Sequence, residues 1–194
     1  MKISEIFFSI QGEGILSGRA AAFIRFYGCN LECSFCDEPL HKDTFEEISE
    51  EDIIKEVKKH NTGFVVITGG EPSLNDLNAF IKKLKNESIF VAVETNGFSP
   101  GNISQADWKT YSPKDWDNIN YDFMANEIKL VVNSKTDIDK IQFIKSKTQL
   151  PLLIQPEANF NELIQENIDF CVNFVLENPT LILSLQNHKM LKIK

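Results

Sequence analysis

FVVITGGEP, residues 64 to 72, begins as an unbroken apolar run and turns polar at Thr68-Gly69-Gly70-Glu71. Four consecutive apolar positions leave no polar face. The segment therefore reads as a strand buried on both sides, as in a parallel sheet covered by helices. Barrel and parallel-sheet enzymes build their sites at the carboxyl ends of such strands. One short stretch thus specifies an architecture and the edge at which chemistry belongs.

The pattern recurs along the chain. AAFIRFY (21–27), IFVAVE (89–94), WKTYS (108–112), IKLVV (128–132), LLIQ (152–155) and LILSL (181–185) are candidate strands, with EIFFSI (5–10) a further one before them. Polar clusters follow several of these runs: Glu94-Thr95-Asn96-Gly97, Ser112-Pro113-Lys114, Gln155-Pro156 and Gln186-Asn187-His188-Lys189. Helices are expected between strands, opened by SEED (49–52), SLND (73–76), TDID (136–139) and NFNE (159–162). The first three offer a hydroxyl as cap and an acid three residues later in the first turn.

The alternation is incomplete. NGFSPGNISQAD (96–107) and PKDWDNINYDFMANE (113–127) are rich in turn residues and lack helical periodicity. A closed eight-fold barrel typically needs ~250 residues, and this chain has 194. The expectation is an α/β fold, a reduced, open (βα) barrel of six or seven mostly parallel strands with some crossover helices missing, forming a single domain over 1–194.

Composition bounds the function. The net charge is −8 and the sequence pI is near 5.0, which argues against a nucleic-acid partner, because phosphate binding needs a basic face. No apolar run approaches the ~18 residues of a membrane span, and the amino terminus lacks a signal-peptide pattern. Four cysteines are too few for a disulfide scaffold in this length. A cytoplasmic protein is expected, with no membrane partner.

Three of those cysteines crowd one loop, GCNLECSFCDEP (28–39), as Cys29, Cys33 and Cys36. Free thiols packed as small hydrophobes account poorly for that crowding in a polar loop. A closed zinc site wants four ligands, and the fourth would be His41, His60, His188 or Cys171, none at finger spacing. Cys171, among apolar neighbours, suits the core. A [4Fe–4S] cubane held by three thiolates keeps one iron open, which the amino and carboxylate groups of S-adenosylmethionine can chelate.

The CxxxCxxC spacing with Phe35 before the last cysteine, followed by GGEP (69–72), resembles the radical S-adenosylmethionine superfamily. SIQGEG (9–14), ETNG (94–97), SPK (112–114), EIK (127–129), QP (155–156) and QNHK (186–189) extend the resemblance, from about residue 5 to 189, to the 7-carboxy-7-deazaguanine synthase family. That resemblance implies a homodimeric lyase of queuosine and 7-deazapurine biosynthesis. The reaction converts 6-carboxy-5,6,7,8-tetrahydropterin to 7-carboxy-7-deazaguanine by radical ring contraction with loss of ammonia. It also implies S-adenosylmethionine, magnesium and an electron donor of flavodoxin or ferredoxin type.

Carried over by motif, Cys29, Cys33 and Cys36 would hold the cluster. Gly69, Gly70 and Glu71, with Glu94, Asn96, Ser112, Lys114 and Gln155, would bind S-adenosylmethionine. Gln11, Glu13, Gly14, Arg25, Thr68 and His188 would contact the pterin. A carboxylate such as Glu13 suits the paired N–H donors of a guanidine-like edge, although Gly12 and Gly14 alone also suit a tight turn. Arg25 in an apolar strand demands a partner, either the substrate carboxylate or a structural acid. Lys129 is open to a buried ion pair with Glu94 or Glu127. The family commonly reads Cys-Asp-Thr, with the threonine on magnesium, whereas here the run is Cys36-Asp37-Glu38. Glu38 and Asp37 offer hard oxygens for magnesium, or Glu38 pairs with a cation.

Two rivals remain at this level. A glycyl-radical activating enzyme shares the cysteine loop but has no need of SIQGEG or QNHK. A non-catalytic zinc module would be colourless and free of iron and sulfide.

Overall fold

The computed structural model describes residues 1–36, 42–160 and 162–194. Among these, nine strands form one sheet in the order β3-β1-β2-β4-β5-β6-β7-β8-β9. β2 (Ala20–Phe26), β4 (Phe64–Gly69), β5 (Phe90–Thr95), β6 (Trp108–Tyr111), β7 (Glu127–Val132), β8 (Leu152–Pro156) and β9 (Ile182–Leu183) run parallel. β1 (Lys2–Ile10) and the two-residue β3 (Glu46–Glu47) add an antiparallel edge. The first and last strands in this order do not pair, so the sheet is an open barrel.

Period-two alternation gives each strand two faces. One face carries Ile24 and Phe26, Val65 and Ile67, Val91 and Val93, Leu130 and Val132, which form the main core with buried residues of the helices. The other carries Phe23 and Arg25, Val66 and Thr68, Ala92 and Glu94, Leu153 and Gln155. It is apolar near the strand starts and polar near their carboxyl ends. Ala21, Phe23, Phe64, Val66 and Ala92 fill its lower part, with Trp108 packed against them. The Arg19 guanidinium lies over the Phe64 ring at 4.2 Å.

The helices α1 (Glu50–Lys58), α2 (Asn78–Asn86), α3 (Ile138–Lys147) and α4 (Gln165–Glu177) cover the sheet. Ser49 caps α1 by accepting the Asp52 N–H, and Asp137 caps α3 by accepting that of Asp139. Two other expected starts are displaced. Ser73 lies in a 3₁₀ turn, Pro72–Leu74, where its hydroxyl accepts the Ser99 N–H, and α2 begins only at Asn78. NFNE does not open α4, which starts at Gln165, because Asn159 donates its N–H to the Glu162 carbonyl in a separate turn.

LILSL contributes only two strand residues, and QNHK continues as a short helix, α5 (Asn187–Leu191). The two turn-rich crossovers contain no α-helix, only a 3₁₀ turn at Pro100–Ile103 between β5 and β6.

Phe80 of α2 is fully buried and Phe143 of α3 is 58% exposed. Phe80→Ala should lower unfolding free energy by ~3–5 kcal/mol and Phe143→Ala by well under ~1 kcal/mol, both read from urea denaturation midpoints.

Candidate active site

The chain leaves β1 into a turn closed by Gln11 N–H to Arg19 O, 2.8 Å, and Gly18 N–H to Gln11 O, 2.8 Å. Its far side rests on Glu127, a fully buried acid at the start of β7. The Glu127 carboxylate accepts the Thr110 hydroxyl at 2.8 Å and the Ile15 N–H at 3.0 Å. Gly14 has φ +70°, and a Cβ there would stand 2.4 Å from Glu127 Oε1. Glycine is thus required by both backbone sign and space. This anchoring aims Glu13 inward.

Glu13 meets Lys129, whose ammonium is donated both to Glu13 and, at 2.9 Å, to Glu94. Glu13 also accepts from Gln155 at 3.1 Å and Gln186 at 2.8 Å, while Glu94 accepts from Gln11 at 3.1 Å. Burial pushes the Glu13 carboxyl upward, but Lys129 and His188, with the hydrogen bonds from Lys129 and Gln186, outweigh it and hold the group down at about 2. The balance at Glu94 runs the other way: burial, together with Glu13 and Glu127 nearby, raises it despite Lys129. Of the two open partners for Lys129, Glu94 is used and Glu127 is not; Glu13 is the second.

The GGEP loop is fixed just as firmly. Gly69 has φ +133°, and a Cβ would lie 2.2 Å from the Phe26 carbonyl oxygen. Glu71 is completely buried. Its carboxylate accepts the Ser73 N–H at 2.9 Å, the Thr95 hydroxyl at 2.7 Å and the Asn96 N–H at 2.6 Å. Its own N–H is donated to the Gly28 carbonyl at 2.9 Å, at the root of the cysteine loop. Glu71 therefore organises the loops through its carboxylate, which keeps the backbone of Gly69 and Gly70 on the cavity wall. Asn96 donates from Nδ2 to Asn30 Oδ1 at 2.9 Å, tying the end of β5 to the same loop.

Within that loop Cys36 N–H bonds the Cys33 carbonyl at 3.2 Å, and Leu31 N–H points at Cys29 Sγ at 3.4 Å. Burial raises the Cys33 thiol, opposed by the Lys114 charge and reinforced by Cys29 and Cys36. Lys114 Nζ donates to Ser112 Oγ at 2.7 Å.

All three cysteines line one cavity of about 840 Å³. Gly69, Gly70, Glu94, Asn96, Ser112, Lys114 and Gln155 share its wall. Gln11, Glu13, Arg25, Thr68 and His188 lie on it too. Gly14, like the Glu71 side chain, stays off the wall, because it backs onto Glu127. Gln155 donates to Glu13 at 3.1 Å and accepts the Ser184 hydroxyl at 2.9 Å, which ties it to the network around Glu13. Arg25 Nε donates to Glu5 at 2.8 Å, an acid on the paired strand, while the residue also lines the cavity. Asp37, Glu38 and His41 lie outside the described residues.

Among the described residues no three Cys, His, Asp or Glu side chains are gathered tightly enough for a single metal ion. A cubane asks something different, since its thiolates go to separate irons. Three thiols on one loop, facing a cavity this large beside a cationic Lys114, suit that group and leave a side open to a ligand.

The motifs did not point to Glu5, Lys192 or Lys194. Lys194 pairs with Glu5 and stands over the Phe7 ring at 5.0 Å. The contact joins the last residues to β1, and no local pattern signals it.

Glu71→Ala should strand two buried donors and one part-buried donor and cost about 3 kcal/mol, measured by denaturation, with cluster retention falling in parallel by absorbance.

A radical S-adenosylmethionine superfamily model matches residues 23–141. The chain is 38% identical to a 7-carboxy-7-deazaguanine synthase of Bacteroides thetaiotaomicron, over 100% of this chain and 98% of the relative. It is 34% identical to one of Synechocystis sp., over 99% and 93%. The crystal structure of QueE from Escherichia coli superposes with a TM-score of 0.72 at 26% identity, covering 95% of this chain and 93% of that one. With cysteine loop, GGEP turn and polar rim opening on one cavity, this chain belongs to the 7-carboxy-7-deazaguanine synthase family within the radical S-adenosylmethionine superfamily.

Proposed function

We propose that this chain is a 7-carboxy-7-deazaguanine synthase, a carbon–nitrogen lyase that contracts 6-carboxy-5,6,7,8-tetrahydropterin with loss of ammonia for queuosine-type 7-deazapurines. One observation carries the reading: the three cysteines and the substrate-side set Gln11, Glu13, Arg25, Thr68 and His188 face a single cavity. A [4Fe–4S] cluster and S-adenosylmethionine supply, when bound, the radical that takes hydrogen from the carbon bearing the carboxylate.

The protein's own residues do the positioning. Glu13, ionised down to about pH 2, offers acceptors to the pterin's guanidine-like edge. Arg25, oriented by Glu5, presents a cation to the substrate carboxylate. Gly69 and Gly70 bring backbone close to the cofactor's amino group, Glu94 and Asn96 address its ribose side, and Ser112 and Lys114 flank the cluster loop. Removal of water and fixed orientation are the main contributions of such a cavity.

The reading extends to the whole of 1–194 as one domain, to a homodimer, and to a flavodoxin- or ferredoxin-type donor in a reducing cytoplasm that keeps the thiolates available. Magnesium would be met by Glu38 and Asp37, hard oxygens in place of the family's threonine.

The reconstituted protein, incubated anaerobically with S-adenosylmethionine, a reductant and the carboxytetrahydropterin, should release 7-carboxy-7-deazaguanine by mass spectrometry. Ala at Cys29, Cys33 or Cys36 should abolish turnover, and Cys171→Ala should retain it. Turnover surviving in any cluster-cysteine variant would overturn the assignment. Glu38→Thr should keep product formation and alter its magnesium dependence; an unchanged magnesium titration would remove Glu38 from the metal.

A further inference from the structure

Glu13 follows β1 and Glu94 ends β5, yet the two carboxylates share one ammonium. Lys129 Nζ stands 2.9 Å from Glu94 Oε2 and bonds Glu13 Oε2 as well. Its side chain is 5% exposed, and those of Glu13 and Glu94 are 17% and 18% exposed, so the group is largely shielded from solvent. Gln11 Nε2 reaches Glu94 at 3.1 Å and Gln155 Nε2 reaches Glu13 at 3.1 Å, so amide donors flank the lysine on each side. The charged groups facing this centre are Glu13 from the β1 turn, Glu94 from β5, Glu127 and Lys129 from β7 and His188 from α5.

Two carboxylates that close, inside a protein, do not both ionise unless a cation lies between them. We propose that Lys129 is the positioning residue that joins the two halves of the site, holding Glu13 toward the substrate and Glu94 toward the cofactor as carboxylates at the same time. The assignment of the two sides rests on the function proposed above; the shared ammonium rests on geometry alone. A protonated carboxyl accepts less and donates where it should accept. Losing the lysine would therefore impair the acceptor face on both sides of the cavity, even though Lys129 itself need touch neither ligand. The direction found for Glu94, raised even beside the ammonium, marks it as the member that takes the proton first.

The test reads the carboxyls before it reads catalysis. In the ligand-free, cluster-reconstituted protein, infrared pH-difference spectra of Lys129→Met should show a carboxyl that remains protonated at neutral pH and ionises as pH rises. Wild type should lack that neutral-pH signal, Lys129→Arg should suppress it by restoring the charge, and Lys129→Met combined with Glu94→Gln should abolish it. Equilibrium binding should then show the pterin and S-adenosylmethionine each weakened on the order of 10–100-fold in Lys129→Met, with affinity regained toward high pH and in Lys129→Arg. A Lys129→Met protein with no such carboxyl overturns the proposal, as does undiminished affinity for both ligands. If that variant does not fold, Lys129→Gln takes the same measurements. Wild type that binds S-adenosylmethionine but no pterin would instead defeat the substrate reading, with the infrared result still deciding the role of Lys129.

Discussion

An ammonium buried between two carboxylates is costly to assemble, because each charge must leave water before the others can repay it. The Glu13–Lys129–Glu94 arrangement is tolerable only because amides satisfy the remaining lone pairs: Gln11 on Glu94, Gln155 and Gln186 on Glu13. That requirement propagates outward. Gln155 is itself held by Ser184, which accepts the Gly14 N–H, and Gly14 in turn lies against Glu127. The turn after β1, the ends of β7 and β8 and the approach to α5 are therefore one polar unit around a single cation.

A second hub keeps the cluster side in register with the first. Glu71 gives both carboxylate oxygens to the ends of its own loop and of β5. Its backbone N–H reaches the root of the cysteine loop. Through Asn96 and Asn30 the end of β5 meets that loop again. Glu94, two residues before Asn96, belongs to the lysine-centred unit. β5 and the residue after it thus link both hubs, through Glu94 to Lys129 and through Thr95 and Asn96 to Glu71, and full burial at Val91 and Val93 helps to hold that strand in place.

The missing crossover helices have a use in this arrangement. Between β5 and β6 the chain turns through Pro100–Ile103, and between β6 and β7 it runs as a loop whose Asn120 N–H is anchored by the Tyr111 hydroxyl at 3.1 Å. The site does not need those helices, since the polar rim is bonded strand to strand and loop to loop.

The architecture was legible in the sequence wherever side-chain periodicity is local. Continuous apolar runs marked the parallel strands, turn-rich spacers marked the absent helices, and Ser49 marked the start of α1. Boundaries failed where capping competed with tertiary bonds: Ser73 caps the Ser99 amide rather than a helix, and the residues around Asn159 form their own turn. The cysteine spacing and GGEP were legible because a cluster-binding loop and a backbone approach to a ligand need local geometry. What only the tertiary structure decided is which polar residues serve one another. Glu71 turned inward to the loops, Arg25 took Glu5, and Lys129 chose Glu13 as well as Glu94. Those choices join residues up to 116 positions apart, and spacing along the chain holds no record of them, because the low-dielectric interior that makes such pairings obligatory exists only once the sheet has formed.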